Sequence, residues 1–235
     1  MNLLVLTGYD DAMAAVGDAT APSKLAYALR HGYAYTCNRH YTTDTHPSWQ
    51  KIRLLYDLLP QYDAVLWLDA DTLVTNPEFE AETLALPVTP WSPKASPPET
   101  IRPLVHIGRY HYHAGIVVSE DWSTCAPQHA PHHFSMGNFL IVNCFESFQL
   151  LDEMGKRTDC ANAGLWEQDA IQDVHRRRPD LRGFVKIVPR RALNAVPFPE
   201  AVERWQPGDF LCHLTGIDNR LRLRLIPEIL AQIDE

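Results

Sequence analysis

Val65-Leu66-Trp67-Leu68-Asp69-Ala70-Asp71-Thr72-Leu73-Val74 is the most informative stretch of this 235-residue chain. Residues 63 to 68 form a short apolar run of β-type residues, which predicts a buried strand ending at Asp69. Two carboxylates separated by one residue then sit where a sheet stops and solvent begins. In open α/β sheets ligands collect beyond the carboxyl ends of strands, so the turn from Asp69 to Asp71 is where a site is sought. Hard oxygen ligands suit magnesium or manganese, which binds through one or two carboxylates and completes its shell with substrate phosphates. A bare pair of this kind can also merely cap a strand.

Upstream, Ser48 to Leu59 places Trp49, Ile52, Leu55, Leu58 and Leu59 at helical spacing, and Pro60 closes the helix. Residues 2 to 7 read as a buried strand followed by a polar turn. Ser23 to Gly32 reads as a helix with Ser23 as cap and Gly32 as stop. Strand followed by helix is the opening of a nucleotide-binding α/β unit. Downstream, residues 87 to 135 are rich in proline, hold Trp91 and Trp122, and carry His106, His111, His113, His129, His132 and His133. That segment is expected to be irregular, a lid or acceptor loop within a single domain spanning 1–235. Gly137 to Asn143 and Val185 to Pro189 are expected strands; Ser147 to Gly155, Glu167 to Arg177 and Arg222 to Ile233 are expected helices. Near the end, Gly208-Asp209-Phe210-Leu211-Cys212-His213-Leu214-Thr215-Gly216 sets a histidine at the end of a second apolar strand. A neutral imidazole there can be a third metal ligand, and Gly216 lets backbone approach phosphate oxygens, although a lone histidine is more often structural.

Composition bounds the chemistry. With 46% hydrophobic and 21% charged residues the chain is an ordinary globular domain. A formal net charge of -8 argues against nucleic acid or an anionic membrane as main partner, so an anionic substrate must be neutralised locally. Five cysteines, odd in number and without a C-x-x-C pair, indicate neither a disulfide framework nor a zinc knuckle and favour a reducing compartment. No run reaches a membrane span of ~18 apolar residues. The expectation is a cytoplasmic protein, or the soluble catalytic domain of an enzyme whose anchor lies elsewhere; the oligomeric state stays open.

On these residues the chain resembles glycosyltransferase family 34, the fungal mannosyl- and galactosyltransferases and plant xylosyltransferases, with some glycogenin-like features. The resemblance is carried in order by Lys24 with Tyr27-Ala28 and His31-Gly32-Tyr33, Ser48-Trp49-Gln50-Lys51, Trp67 to Asn76, Gly137 to Asn143, Glu167-Gln168-Asp169-Ala170-Ile171, and Trp205 to Gly216. It implies a GT-A fold, an α/β domain with a mixed, mainly parallel central sheet and helices on both faces. It also implies a UDP-sugar donor, manganese or magnesium, a glycan acceptor, and retention of anomeric configuration.

Carried onto this chain, Asp69, Asp71 and His213 hold the metal, with Asp69 also near the ribose. Thr7, Gly8 and Tyr9 lie near the base, unless they are simply a polar turn. Gly216 and Arg220 fall to the diphosphate, Lys51 to binding of the donor, and Asn138 to the donor sugar. Asp169 and Gln168 are the candidates for the anomeric centre, against the alternative that they only favour a helix N-terminus. Trp91, Trp122 or the histidine-rich loop would shape the acceptor groove. The family commonly carries a lysine shortly after the metal histidine; here Ile217-Asp218-Asn219 stands there and Arg220 follows. Two rival readings are a catalytically silent nucleotide- or glycan-binding protein of the same fold and a haloacid-dehalogenase-type phosphatase. The latter wants Thr or Val where this chain has Leu73.

Overall fold

Two-residue alternation in the first and third strands sorts side chains onto opposite faces of one sheet, and each face acquires its own core. The computed structural model describes residues 1–39, 45–85, 105–107, 110–112, 114–121, 134–160, 164–198 and 204–233. The strands are β1 (Leu3–Gly8), β2 (Ala34–Asn38), β3 (Ala64–Leu68), β4 (Thr72–Val74), β5 (Val105–Ile107), β6 (Tyr110–Tyr112), β7 (Ile116–Glu120), β8 (Phe134–Val142), β9 (Val185–Val188) and β10 (Leu211–His213). The helices are α1 (Ala14–His31), α2 (Gln50–Leu58), α3 (Phe145–Gly155), α4 (Glu167–Arg177), α5 (Pro179–Arg182), α6 (Arg190–Leu193) and α7 (Asn219–Ala231).

The main sheet runs β2-β1-β3-β8-β7-β9. β1 is parallel to β2 and β3, and β7 is parallel to β9, while β8 runs against both of its neighbours. Leu4, Leu6, Val65 and Trp67 face the core beneath α2, α3 and α4. Leu3, Val5, Ala64, Leu66 and Leu68 face the core that takes in Tyr27 and Ala28 of α1. A third cluster, Leu73, Cys212, Leu214, Trp205, Ile226 and Ile229, packs α7 under the β4-β10 pair.

Two expectations are corrected. α1 begins at Ala14, not at Ser23. Ser23 is no cap: its hydroxyl donates to the Thr20 carbonyl at 2.8 Å and accepts the Val74 N–H at 3.1 Å, fastening the helix to β4. Pro22 lies inside the helix, and Gly32 ends it at φ 68. Nor is 87–135 irregular throughout. It contains β5, β6 and β7, and β7 is an interior strand whose first four residues are buried. Trp91, Trp122, His113, His129, His132 and His133 lie outside the described residues.

One close approach shapes the end of β1. The Tyr9 ring lies against Gly17 of α1, where a Cβ would come within 2.4 Å of ring carbons. Its hydroxyl donates to Asp18 at 2.8 Å, and the Arg39 guanidinium covers the ring at 5.0 Å. Gly17→Ala gains up to about 1 kcal/mol of helix propensity. Displacing a ring pinned at both ends costs about 1–3 kcal/mol. The expected result is a net loss of stability in urea unfolding, opposite to the gain that propensity alone gives.

Candidate functional site

The acidic turn is assembled from backbone upward. β3 delivers Asp69 at its carboxyl end, and the Asp69 N–H donates to the Gly137 carbonyl of β8 at 3.0 Å. The Thr72 N–H closes the turn on the Asp69 carbonyl at 3.1 Å. Lys24, fully buried in α1, donates its ammonium to that carbonyl at 2.6 Å and to the Thr7 and Thr20 hydroxyls at 3.2 and 3.3 Å. Thr20 in turn donates to the Ala70 carbonyl at 2.5 Å. Burial lowers the Lys24 pKa to about 8, against the pull of Asp71 and Asp69.

His213 arrives through strand register. β10 pairs antiparallel with β4, with His213 opposite Thr72, and the Leu214 N–H donates to the Asp71 carbonyl at 2.9 Å. The imidazole Nε2 lies 3.2 Å from Asp71 Oδ1. Its Nδ1 lies 2.6 Å from Asn194 Oδ1, and the Asn194 amide nitrogen faces the Glu120 carbonyl at 3.5 Å. The Asn194 orientation makes Nδ1–H the donor on that side, the second bond that commonly fixes the ring of a metal-binding histidine. One ligand atom from each of Asp69, Asp71 and His213 lies within 4.8 Å of the others. Gly137 borders them closely: a Cβ there would meet His213 Cε1 at 2.5 Å and Asp69 Oδ2 at 3.1 Å.

Cations surround this set. Arg222 of α7 reaches Asp71 Oδ2 at 2.8 Å and also donates to the Leu214 carbonyl and the Asn219 side chain. Burial raises the Asp71 pKa, but His213 and Arg222 outweigh it and hold the group well below the usual carboxylate range. Asp69 is shifted the other way: burial and the Asp71 charge raise it more than Lys51 and His213 lower it. Lys51 bridges Asp69 at 3.2 Å and Glu167 at 2.7 Å, donates to the Met136 carbonyl at 2.9 Å, and lies over the Trp67 ring. Burial lowers its pKa, yet the two carboxylates leave it net raised. The Trp67 indole N–H donates to Asp69 Oδ1 at 2.7 Å.

These groups line a cleft of about 460 Å³. Gly8, Tyr9, Lys51, Asp69, Asp71, Gln168 and His213 are on its wall, joined by Gly137, Glu167, Thr215 and the stacked rings of His46 and Trp166, 3.6 Å apart.

Other expected site residues are placed differently. Thr7 is fully buried and accepts from Lys24. Asn138 is fully buried and held at both ends: its oxygen accepts from Asp69 N–H and Thr72 Oγ1, and its nitrogen donates to the Leu193 carbonyl. It braces the turn and does not line the cleft. Asp169 turns back to accept the Leu165 N–H at 2.7 Å, the capping role that an acidic residue near a helix start favours. The carboxylate that faces the cleft from α4 is Glu167. Arg220 is exposed and Gly216, at φ 75, lies outside the cleft wall; the basic residue that meets the acidic turn is Arg222. Lys24 was marked by sequence only as part of an early helix, and Asn194 carried no signal.

Asn138→Ala strands several buried partners at about 1–3 kcal/mol each. Global stability is expected to fall by about 3 kcal/mol in denaturant unfolding. A residue that merely touched a ligand would leave stability unchanged.

Known proteins share this architecture. A solved glycosyltransferase involved in the glycosylation of the major capsid of PBCV-1 aligns with a TM-score of 0.66 at 14% identity, over 97% of this chain and all of that one. The galactosyltransferase LgtC, solved with donor and acceptor sugar analogs, aligns with a TM-score of 0.58 at 13% identity, over 97% of this chain and 95% of its own. At such identities the likeness is one of fold, and the fold is GT-A. Among curated sequences, the probable alpha-1,6-mannosyltransferase MNN10 of Saccharomyces cerevisiae is 27% identical over 203 residues, covering 78% of this chain and 48% of that protein. An alpha-1,2-galactosyltransferase of Schizosaccharomyces pombe is 26% identical over 216 residues, covering 81% of this chain and 53% of its own. The chain thus spans about half the length of these relatives. With residues 4–222 matched by the family model as well, the chain belongs to the galactosyl transferase GMA12/MNN10 family.

Proposed function

We propose that the chain is a metal-dependent, retaining glycosyltransferase that moves a hexose or pentose from a nucleotide-diphosphate sugar, a UDP-sugar in the first instance, to a glycan hydroxyl. The observation that carries this reading is the convergence of Asp69, Asp71 and His213 at one end of the cleft. Two carboxylate oxygens and one imidazole nitrogen suit manganese or magnesium, and the hydrogen bond from His213 to Asn194 presents the nitrogen needed. When bound there, such an ion would supply positive charge to the diphosphate leaving group.

The chain's own residues divide the remaining work. Arg222 pairs with Asp71 without itself lining the cleft, and so holds that carboxylate in place. Gly8 and Tyr9 border the end of the cleft suited to the nucleoside, with the Tyr9 ring held at its edge between Gly17 and Arg39. Glu167 stands beside the sugar position: Lys51 takes its Oε1, and its Oε2 is buried without a hydrogen-bond partner among the described residues. A buried unpaired carboxylate oxygen suits the positive charge that develops on the anomeric carbon as its bond to the phosphate oxygen breaks. In that step the bonding pair leaves with the diphosphate, the acceptor oxygen bonds the same carbon on the same face, and the acceptor proton passes to the departing phosphate. The names of the relatives, one mannosyl and one galactosyl, leave the sugar open. Among the described residues no helix is long and apolar enough to cross a membrane.

The decisive assay is nucleotide release from UDP-galactose, UDP-xylose, UDP-glucose and GDP-mannose, with and without manganese. At least one donor is expected to turn over, with activity abolished by a chelator and reduced about 10²-fold or more by Asp71→Asn. Tight nucleotide binding without turnover of any donor would favour a silent binding protein, and phosphate loss from a phosphorylated substrate without a sugar donor would favour a phosphatase. A second test uses Gly137→Ala, whose methyl would press on His213 and Asp69. Manganese affinity by calorimetry is expected to fall about 10–100-fold with the circular dichroism spectrum unchanged.

A further inference from the structure

Trp166, immediately before α4, is the one non-glycine among the described residues with a positive φ, at φ 52 and ψ -115. A side chain on such a backbone carries strain that persists only where the surroundings over-determine it. Here the first turn of α4 grips the residues before it. The Asp169 carboxylate accepts the Leu165 N–H at 2.7 Å, the backbone N–H of Gln168 donates to the Leu165 carbonyl at 3.0 Å, and the Ala170 N–H donates to the Trp166 carbonyl at 3.2 Å. Gly164, at φ 60, leaves room for the Asp169 carboxylate, which a Cβ there would strike.

The strained backbone places a ring. The Trp166 indole lies flat on the His46 imidazole, centroids 3.6 Å apart and planes 5° from parallel, and both rings line the cleft. His46 is itself fixed, its Nδ1 accepting the Ser48 N–H at 3.3 Å and lying 2.9 Å from the Ser48 hydroxyl. The stack joins the segment entering α2 to the segment entering α4. The Lys51–Glu167 ion pair joins the same two helices, and Glu167 is the very next residue after Trp166. Resting on the transferase reading above, we propose that the Trp166–His46 stack is a latch that shuts water out of the sugar end of the cleft, and that Asp169 is the positioning residue that holds it closed. With the latch open, water takes the acceptor's place at the anomeric carbon, and the donor is spent as free sugar and nucleoside diphosphate.

Melting temperature separates strain from packing. Trp166→Ala and Trp166→Gly lose the same ring and differ by one methyl. Glycine ordinarily melts lower, because it adds freedom to the unfolded chain. At this φ the order reverses, and Trp166→Gly should melt about 2–4 °C above Trp166→Ala. Nucleotide release is then measured with manganese and whichever donor the wild type turns over, with no acceptor added. His46→Ala and Asp169→Ala should release nucleotide about 10-fold faster than the wild type, whereas damage to the fold or to a catalytic group would slow release. His46→Phe keeps a ring on Trp166, and the amide oxygen of Asp169→Asn still accepts the Leu165 N–H, so both should stay within about threefold of wild type. Three results overturn the proposal: Trp166→Gly melting level with or below Trp166→Ala, release unchanged or slowed in His46→Ala, or release slowed about 10²-fold in Asp169→Asn, which would make Asp169 a catalytic carboxylate. If the wild type releases nucleotide from no donor, the transferase reading and the water-excluding role fall together. The melting order still decides separately whether Trp166 is held under strain.

Discussion

Burying carboxylates one residue apart is tolerable only when positive charge is brought to them, and this constraint organises the centre of the molecule. A chain of net charge -8 commits Lys24, Lys51 and Arg222 to one acidic turn. Each comes from a different helix, so the electrostatic requirement is also what ties α1, α2 and α7 to the end of the sheet. Lys24 does so through backbone carbonyls, Lys51 by bridging two acidic side chains, and Arg222 by pairing with the more strongly ionised aspartate. The desolvation cost of such groups is large, and only dense mutual pairing offsets it.

The second constraint is register. His213 is far from Asp71 in sequence, and a three-residue strand pair brings them together. Because side chains alternate along a strand, a slip of one residue would turn the imidazole to the opposite face. Leu73, Cys212 and Leu214 sit in the small core beneath α7, so hydrophobic packing on one side of this short ribbon holds the polar geometry on the other.

Much of this was legible in the sequence. Strand ends marked Asp69, Asp71 and His213, the Glu167 to Arg177 helix has the limits that its periodicity gave, and Gly32 stops its helix as expected. Two of the misplacements share one cause. Arg220 and Arg222 are two residues apart on one helix, as are Glu167 and Asp169 on another, and such pairs point about 200° apart around the axis. Sequence brings the right residue type to the right turn, but which of two such positions faces the site depends on how the helix rolls against its neighbours. β7 was missed for a different reason: Ile116-Val117-Val118 is a very short apolar run amid proline and histidine, and its burial comes from long-range pairing with β8 and β9. The bracing roles of Asn138 and Asn194 give no local signal, because they satisfy backbone and ring atoms contributed by distant segments.

β8 is nine residues long while its partner β3 has five, and their pairing ends with Leu68 opposite Asn138. Phe134 to Gly137 therefore project past the end of β3 as a bare ledge of backbone, roughly 13 Å long at ordinary strand rise. On an ordinary sheet border such a ledge would invite another strand. Here its amides and carbonyls are occupied by Lys51, Gln168 and the Asp69 N–H. A mismatch in strand length thus becomes the rear wall of the cavity, and an insertion that extended β3 along the ledge would seal that cavity while leaving the sheet itself better paired.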